Sequence, residues 1–371
     1  MPNNWQIWEV RLMRRLLRLA ASKAGKTFPN PVVAAAVVKQ GHVLAIGVHP
    51  RAGAAHAEVL ALKKAGKHAK GSTVYVTLEP CTHWGKTPPC TDALIAAGVQ
   101  RVVYAIGDPN PEVQAKPAEA LLKSAGVVIT HGLCEVEARR INDVYFKNRS
   151  QERPFVTLKA ATSLDGRIAL GNGPSNYLTG PESRRAVHQL RATCDAILVG
   201  VETVLKDDPQ LTVRSGRRPA RPLKIVLDSG LRTSGDARIF ADGAPVLLVA
   251  RENAPRKTYT PQTHILRVPS LRSSDFWPSF LDRLYREFGI CHLLIEGGAQ
   301  VFTSALEAKV VDKVMCFISP QFLMAKDAIS VVSGTQRLAL ADSLRLSHVQ
   351  IRRYGDDVCV TGAVGGAGVS P

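Results

Sequence analysis

The stretch from His56 to Cys90 constrains this chain more than any other. It opens with His56-Ala57-Glu58 and closes with Pro80-Cys81-Thr82-His83-Trp84-Gly85-Lys86-Thr87-Pro88-Pro89-Cys90. A fold that draws these ends together brings one imidazole and two thiols to one metal ion, with a carboxylate two residues from the ring. Neutral imidazole and thiolate are good zinc ligands, and three protein ligands leave the fourth tetrahedral position for water. Zinc can lower the pKa of that water to about 7. On this reading His56, Cys81 and Cys90 bind the metal. Glu58 moves protons off the water, onto the ring and then onto the leaving amine. His-Ala-Glu alone occurs by chance in helices, and two cysteines alone suit buried thiols. Their order, with Pro80 before Cys81, favours zinc hydrolysis.

His-x-Glu followed by Pro-Cys-x-x-Cys is the signature of zinc nucleobase deaminases. Here the second half is stretched, with eight residues rather than two between Cys81 and Cys90.

At 371 residues the chain predicts about two domains. The seam falls at the polar stretch 150–154, which gives domains 1–150 and 151–371. A hydrophobic content of 45% is ample for packed cores. No apolar run approaches the roughly 20 residues of a membrane helix, and no secretory h-region is visible, so no membrane partner is expected. The basic segment 11–24 could be taken for a transit peptide. Its apolar residues Leu12, Leu16, Leu17, Leu19 and Ala20 recur at helical spacing, which favours an opening amphipathic helix. The five cysteines outside the motif are scattered and suit free thiols in a reducing cytoplasm. The net charge of +17 comes from 48 basic and 31 acidic residues. The basic residues form no long run and no aromatic ladder accompanies them. Anionic small ligands, or a merely basic surface, explain the charge as well, and no nucleic-acid partner is expected.

Both halves alternate strands with helices, which argues α/β architecture. In the first, strands are expected at 32–39, 43–48, 72–78, 99–106 and 127–130. Helices are expected at 54–64, from Cys90 through Ala97, from the loop at 108–111 through Ala125, and at 135–149. In the second, strands fall at 155–161, 196–199, 223–227, 245–250, 292–295 and 314–318, with an edge hairpin over 349–360. Glu296-Gly297-Gly298 joins a strand to a helix. Two glycines there let backbone N–H groups approach a phosphate, or simply allow a tight turn; spacing leaves both open. No Rossmann or Walker pattern is present.

A longer set of motifs carries a family resemblance. The first half holds Asn30-Pro31-x-Val33, Gly53-x-x-His56-Ala57-Glu58, Thr77-Leu78-Glu79-Pro80-Cys81-x-His83-x-Gly85-Lys86-Thr87-Pro88-Pro89-Cys90 and Asp108-Pro109-Asn110-Pro111. The second holds Leu158-Lys159, Ser163-Leu164-Asp165-Gly166-Arg167, Leu178-Thr179-Gly180, Gly200-x-x-Thr203-Val204-Leu205-x-Asp207-Asp208-Pro209-x-Leu211-Thr212-Val213-Arg214, Asp228-Ser229 and Glu296-Gly297-Gly298. From about Arg11 to Val360 the chain resembles the bifunctional deaminase–reductases of riboflavin biosynthesis.

The resemblance implies a cytidine-deaminase-like α/β/α sandwich followed by a dihydrofolate-reductase-like α/β domain. The first domain would hydrolytically deaminate 2,5-diamino-6-ribosylamino-4(3H)-pyrimidinone 5′-phosphate. The second would use NADPH to reduce the ribosyl group to ribityl, giving 5-amino-6-ribitylaminouracil 5′-phosphate. Carried over by motif, Asn30, His49, His83 and Lys86 contact the pyrimidine or its phosphate. Ala161, Tyr177, Thr203, Asp207, Ser229 and the turn of Gly298, Ala299, Gln300, Val301, Phe302, Thr303 and Ser304 hold NADPH. Ser175, Arg191, Leu211, Arg214 and Glu296 hold the sugar phosphate, and the forks of Arg191 and Arg214 suit a phosphate. Lys159 and Asp207 are the candidates for polarising or protonating the opened sugar. Asp165-Gly166 suits a hairpin turn, so Asp165 is expected to be structural. A cytoplasmic homo-oligomer is expected.

Two residues depart from the family pattern. Ala34 stands where a glycine is usual, which matters if that backbone needs positive φ or a close approach. Tyr177 stands where tryptophan is usual. Rival readings are a cytidine- or tRNA-adenosine-type deaminase with an unrelated second domain, and a zinc-stabilised binding module. The module requires a fourth protein ligand, for which His83 is the nearby candidate.

Overall fold

The computed structural model describes residues 5–85, 87–171, 177–214, 221–334 and 339–365. Lys86 and Ser175 lie outside the described residues. The chain divides into two compact units, Met1–Glu152 and Arg153–Pro371.

The first unit opens with α1 (Ile7–Ala21), which buries Leu12, Met13, Leu16, Leu17 and Ala20. Strands β1 (Ala34–Lys39) and β2 (His42–Val48) follow, then helix α2 (Ala57–Ala65) and strand β3 (Thr73–Val76). The unit continues with α3 (Cys90–Ala96), β4 (Arg101–Tyr104), α4 (Pro111–Ala115), α5 (Ala118–Ser124), β5 (Val128–His131), α6 (Glu135–Ile141) and α7 (Asp143–Gln151). The sheet order is β2-β1-β3-β4-β5. Strand β1 is antiparallel to both neighbours, whereas β3, β4 and β5 are parallel. This topology gathers the segment before β1, the end of β2 and the ends of β3 and β4 at one edge of the sheet. Asn30, His49, Cys81 and Asp108 therefore leave the sheet on the same side.

Two expected helices are each broken in two. Pro117 caps α5, and Lys116 before it is extended, as a residue preceding proline prefers. Between α6 and α7, Asn142 leaves the helical path because its side chain binds another element. Its Oδ1 accepts the Val32 N–H at 2.8 Å and its Nδ2 donates to Val32 O at 3.0 Å. Ala34 sits in β1, fully buried and outside the left-handed region, so the usual glycine's conformational freedom is not needed here.

The second unit runs β6 (Phe155–Thr162), β7 (Arg167–Ala169), α8 (Pro181–Arg191), β8 (Ala196–Gly200), α9 (Val201–Asp207), β9 (Leu223–Leu227), β10 (Val246–Arg251) and β11 (Thr263–Val268). It closes with α10 (Phe276–Arg286), β12 (His292–Gly297), α11 (Ala299–Glu307), β13 (Lys313–Ile318), β14 (Ile329–Ser330), β15 (Leu346–Tyr354) and β16 (Asp357–Val364). Nine strands form one sheet in the order β11-β10-β9-β8-β12-β6-β13-β16-β15, and β14 pairs with β7. The run from β11 to β13 is parallel, and its central strands β8 and β10 are apolar and buried along almost their whole length. Strand order reverses around β12, a topological switch point of the kind where α/β sheets bind ligands at strand C-termini. Gly200, Asp228 and Gly297 lie at or just beyond those termini.

The edge hairpin is present as β15 and β16, with β15 outermost. Strand β11 was not expected; its charged Arg267 and half-exposed face hide the alternation. Asp165 is structural: it accepts the Ser163 hydroxyl at 2.6 Å and the N–H groups of Leu323 and Met324 at 3.1 and 3.3 Å, which pins two loops together.

Candidate active sites

Helix α2 begins at Ala57, three residues later than the pattern suggested, and His56 is its extended N-cap. That shift removes a geometric difficulty. Residues i and i+2 of a helix face different ways, but a cap residue lies off the helix and can share a pocket with Glu58. The His56 Nδ1 lies 3.1 Å from Cys90 Sγ and 3.4 Å from Cys81 Sγ. The ligand atoms of His56, Cys81 and Cys90 all lie within 4.8 Å of one another. One nitrogen and two sulfurs so converged fit a zinc ion, with Nδ1 as the ring's donor. His83 is not in this cluster: its Nε2 faces Glu112 Oε2 at 3.5 Å, and its buried Nδ1 has no partner among the described residues. Among the described residues three ligands converge without a fourth, which matches an open, catalytic site rather than a closed structural one.

Electrostatics set the protonation of the cluster. The Cys81 thiol is pulled down to about 4, chiefly by the hydrogen bond from Cys90, with His56 adding to it. The Cys90 thiol is pushed up because it donates to that thiolate. The His56 ring is raised by its hydrogen bond to Cys81. Glu58 is 3% exposed, and burial first, then the Cys81 charge, push its carboxyl up to about 7. A group poised there can give and take a proton near neutrality.

His49 lies beside this cluster, its ring 5.3 Å from that of His56. Its Nδ1 lies 3.1 Å from Ala55 O, which can only accept, so Nδ1 carries the hydrogen. Nε2 is then a lone pair that accepts from Asn30 Nδ2 at 3.3 Å. Burial, opposed by that backbone bond, lowers the His49 pKa and keeps the ring neutral. The amide of Asn30 is thereby oriented, with its carbonyl oxygen turned from His49.

Sequence reasoning missed the scaffold behind these residues. Glu79 Oε2 accepts the Asp108 N–H at 3.1 Å and Oε1 accepts the Ala118 N–H at 3.0 Å. Asp108 Oδ1 accepts the Tyr145 hydroxyl and the Asn110 N–H, each at 2.9 Å. The only available signal was a buried-looking Glu79 inside an apolar strand end.

In the second unit Gly200, Gly297 and Gly298 let the ends of β8 and β12 pack closely against Thr203 and Val301. A β-carbon at Gly297 would lie 2.8 Å from Thr203 Oγ1, and one at Gly200 would lie 2.9 Å from Val301 Cγ2. Gly298 has φ 97°, which favours glycine. Glycines in a strand-to-helix turn of this kind leave backbone N–H groups at the start of α11 approachable. We expect Gly297→Ala to weaken NADPH binding at least about tenfold, because its methyl must displace Thr203; fluorescence titration of NADPH checks this.

Of the turn 298–304, Gly298, Ala299 and Gln300 are open. Val301 and Phe302 face the core. Thr303 Oγ1 accepts the Ser333 N–H at 2.9 Å, and Ser304 Oγ accepts from Trp277 Nε1 at 3.2 Å. Val301 and Phe302 are left with their backbone for a cofactor, while the Thr303 and Ser304 hydroxyls are already engaged within the fold. Thr203 and Ser229 stand at neighbouring strand ends, Ala161 is on β6, and Asp207 is exposed at the end of α9. Tyr177 is 82% exposed, with the Arg184 guanidinium 4.8 Å over its ring.

Arg191 and Glu296 were read as two sugar-phosphate contacts, and the structure pairs them with each other. Arg191 Nε and Nη2 donate to Glu296 at 2.6 and 2.7 Å, and Nη1 donates to Thr212 O at 2.9 Å. The fork of Arg191 is thus already filled. Burial opposes the charge on Glu296, but Arg191 and Lys159 hold its carboxyl below the usual value. Burial lowers the Lys159 ammonium. Arg214 is exposed and bonds Gln210 Oε1 at 3.0 Å. Leu211 is buried with φ 49°, leaving its backbone as the available contact.

A converged His-Cys-Cys site on one α/β sheet and a glycine turn at the switch point of another suit a zinc deaminase joined to a reductase, and the comparisons with known proteins agree. Residues 6–106 match the family described as cytidine and deoxycytidylate deaminase zinc-binding region, and residues 154–360 match the RibD C-terminal domain. The riboflavin biosynthesis protein RibD of Aquifex aeolicus is 40% identical over 94% of this chain and 96% of its own. The Escherichia coli protein of the same name is 38% identical over 94% and 97%. The solved structure of a diaminohydroxyphosphoribosylaminopyrimidine deaminase/5-amino-6-(5-phosphoribosylamino)uracil reductase from Thermotoga maritima is 33% identical and superposes with a TM-score of 0.85, covering 96% of this chain and 99% of that one.

The chain belongs to the RibD family of bifunctional riboflavin biosynthesis enzymes. It is both a deaminase and a reductase, with zinc and NADPH as cofactors. Among the described residues no helix is long and apolar enough to cross a membrane.

Proposed function

We propose that the first unit, with its boundary near residue 150, deaminates 2,5-diamino-6-ribosylamino-4(3H)-pyrimidinone 5′-phosphate. The second then reduces the ribosyl group of the product to ribityl. The observation that carries the reading is the three-ligand cluster of His56, Cys81 and Cys90 with Glu58 buried beside it.

Zinc, held by these three residues, supplies a Lewis acid that makes water acidic enough to attack at neutral pH. Glu58 takes the proton released by water and passes it to the ring and then to the departing amine, so that ammonia leaves neutral. Asn30 fixes the ring edge with the carbonyl oxygen that His49 leaves free. His83 and Lys86, which fall between the two cysteines in the sequence, serve the remainder of the substrate.

NADPH supplies a hydride to the second reaction. Gly298, Ala299 and Gln300, with the backbone of Val301 through Ser304, Thr203 and Ser229, hold its phosphates and ribose. Ala161, Tyr177 and Asp207 border the nicotinamide end. Lys159 donates the proton that the sugar oxygen needs as its carbon gains hydride, a task that burial of its ammonium favours. Glu296, fixed by Arg191, orients the sugar hydroxyls. Arg214, Ser175 and the backbone of Leu211 serve the phosphate. The excess of basic residues favours encounter with a phosphorylated substrate. The exposed Val349 and Ile351 on edge strand β15 support a homo-oligomer.

Ammonia release from the diaminopyrimidinone ribotide, followed with and without NADPH, tests the reading. Ammonia in both cases, with NADPH consumed only after deamination, is expected. Absence of ammonia from zinc-loaded protein would overturn the substrate assignment. Ammonia without NADPH consumption would overturn the second step.

A further inference from the structure

We propose that Arg232 and Glu202 together read the 2′ position of the cofactor's adenosine ribose, and that Arg232 is the residue that selects a 2′-phosphate. The inference rests on the reading of the second unit as the cofactor site.

Strands β8 and β9 are parallel neighbours, so the segments leaving their C-terminal ends lie side by side. One is Gly200-Val201-Glu202-Thr203 and the other is 228–233. The second is a built turn. Asp228 is fully buried; its Oδ1 accepts the Arg232 N–H at 2.9 Å, and its Oδ2 accepts the N–H and hydroxyl of Thr233, each at 2.7 Å. Leu231 within it has φ 52°, a conformation held by these bonds. The turn fixes where Arg232 emerges. A β-carbon at Gly230 would lie 3.8 Å from Arg232 Cγ, so the arginine stem runs beside Gly230 and next to Ser229.

From there the guanidinium reaches across to the neighbouring strand end. Arg232 Nη2 donates to Glu202 Oε1 at 2.5 Å, with the two side chains 51% and 58% exposed. Ser229 on one side and Thr203 on the other are the candidate cofactor contacts, and the pair bridges their two segments. A carboxylate at a strand end accepts from ribose hydroxyls, whereas an arginine accommodates a 2′-phosphate. Both groups are present here, joined to each other.

Their pairing is weak enough to yield. An exposed ion pair contributes only about 0 to 1 kcal/mol. A phosphate with two negative charges and a geometry matched to the guanidinium fork competes well for Arg232. Glu202 repels that phosphate and holds Arg232 when none is bound. Neutralising Glu202 therefore tightens binding of the phosphorylated cofactor, while removing Arg232 weakens it.

The test is calorimetric binding of NADP⁺, NAD⁺ and the fragment pair adenosine 2′,5′-bisphosphate and 5′-AMP to the zinc-loaded full chain. Wild-type protein is expected to prefer each 2′-phosphorylated member. Arg232→Ala should lose about 10- to 100-fold in affinity for NADP⁺ and the bisphosphate, the value of one charge-assisted contact, with NAD⁺ within about twofold of wild type. Arg232→Lys should recover part of the loss, since a point charge replaces the fork. Glu202→Gln should bind NADP⁺ more tightly. Unchanged preference in Arg232→Ala overturns the inference and leaves the cofactor site standing. So does equal weakening of both dinucleotides, because a reader of the 2′ group does not affect NAD⁺. Transfer of the effect to Arg251→Ala, on the next strand end, also overturns it. Failure of wild-type protein to bind either dinucleotide overturns the underlying site assignment instead.

Discussion

Glu58→Gln should abolish ammonia release while leaving the metal in place. Loss of a positioned acid–base group costs about 10²- to 10⁴-fold in rate. Glutamine keeps the shape of the side chain and removes only its ability to carry a proton. The donors that fit zinc are His56 Nδ1 and two sulfurs, so zinc content measured by atomic absorption should match wild type. NADPH oxidation should persist when the already deaminated intermediate is supplied. Unchanged ammonia release would remove Glu58 from the reaction. Stability gives an independent readout in the metal-free protein. There the folded-state pKa of Glu58 is raised from 4.5 to about 7, so its protonated form is favoured by folding. The associated stability is present below pH 4.5 and is lost as pH rises through about 7. The difference is on the order of 3 kcal/mol at 1.36 kcal/mol per pKa unit. Glutamine cannot titrate, so metal-free Glu58→Gln should lack this loss and be the more stable protein above pH 7.

The zinc cluster was legible because its chemistry is carried by residue types at fixed order: an imidazole, a nearby carboxylate and two thiols after proline. Sheets were legible because buried parallel strands are mostly apolar, as 196–199 and 246–250 are. What failed was decided by side chains reaching distant backbone. Asn142 ends a helix by binding Val32, 110 residues away, and no local pattern announces that. Pro117 was a visible breaker, yet the apolar spacing across it mimicked one helix. The start of α2 was misplaced because Ala54 and Ala55 are good helix formers. That the side chains of Val301 and Phe302 face the core was hidden for a related reason. A motif marks the turn that approaches a ligand, but helical periodicity sends every third or fourth side chain into the core. Motifs likewise named Arg191 and Glu296 separately, without showing that each is the other's partner.

That partnership makes Arg191→Met the most destabilising substitution expected in the second unit. Arg191 and Glu296 are 15% and 5% exposed and form a two-pronged pair. Removing one member of a buried pair strands the other charge, at a cost of about 3 to 5 kcal/mol. For a unit of this size that lowers its melting temperature by roughly 6 to 20 °C. The pH dependence should change sign. In wild type the Glu296 carboxyl is held low, so the pair's contribution is present above the unfolded carboxylate value and is lost as pH falls through the folded one. In Arg191→Met, burial dominates with only Lys159 and the weaker influence of His188 to offset it, and the carboxyl rises. The deficit should then be greatest near pH 8 and shrink toward pH 5, where Glu296 accepts a proton and becomes neutral. Adding Glu296→Gln should restore much of the lost stability at pH 8, since the stranded charge is gone; a deficit that persists there would show that packing, not charge, holds Arg191 in place. Neither variant should reduce substrate, because Lys159 and the sugar hydroxyls lose the carboxylate that orders them. Ammonia release should continue in both, since the zinc cluster belongs to the other unit.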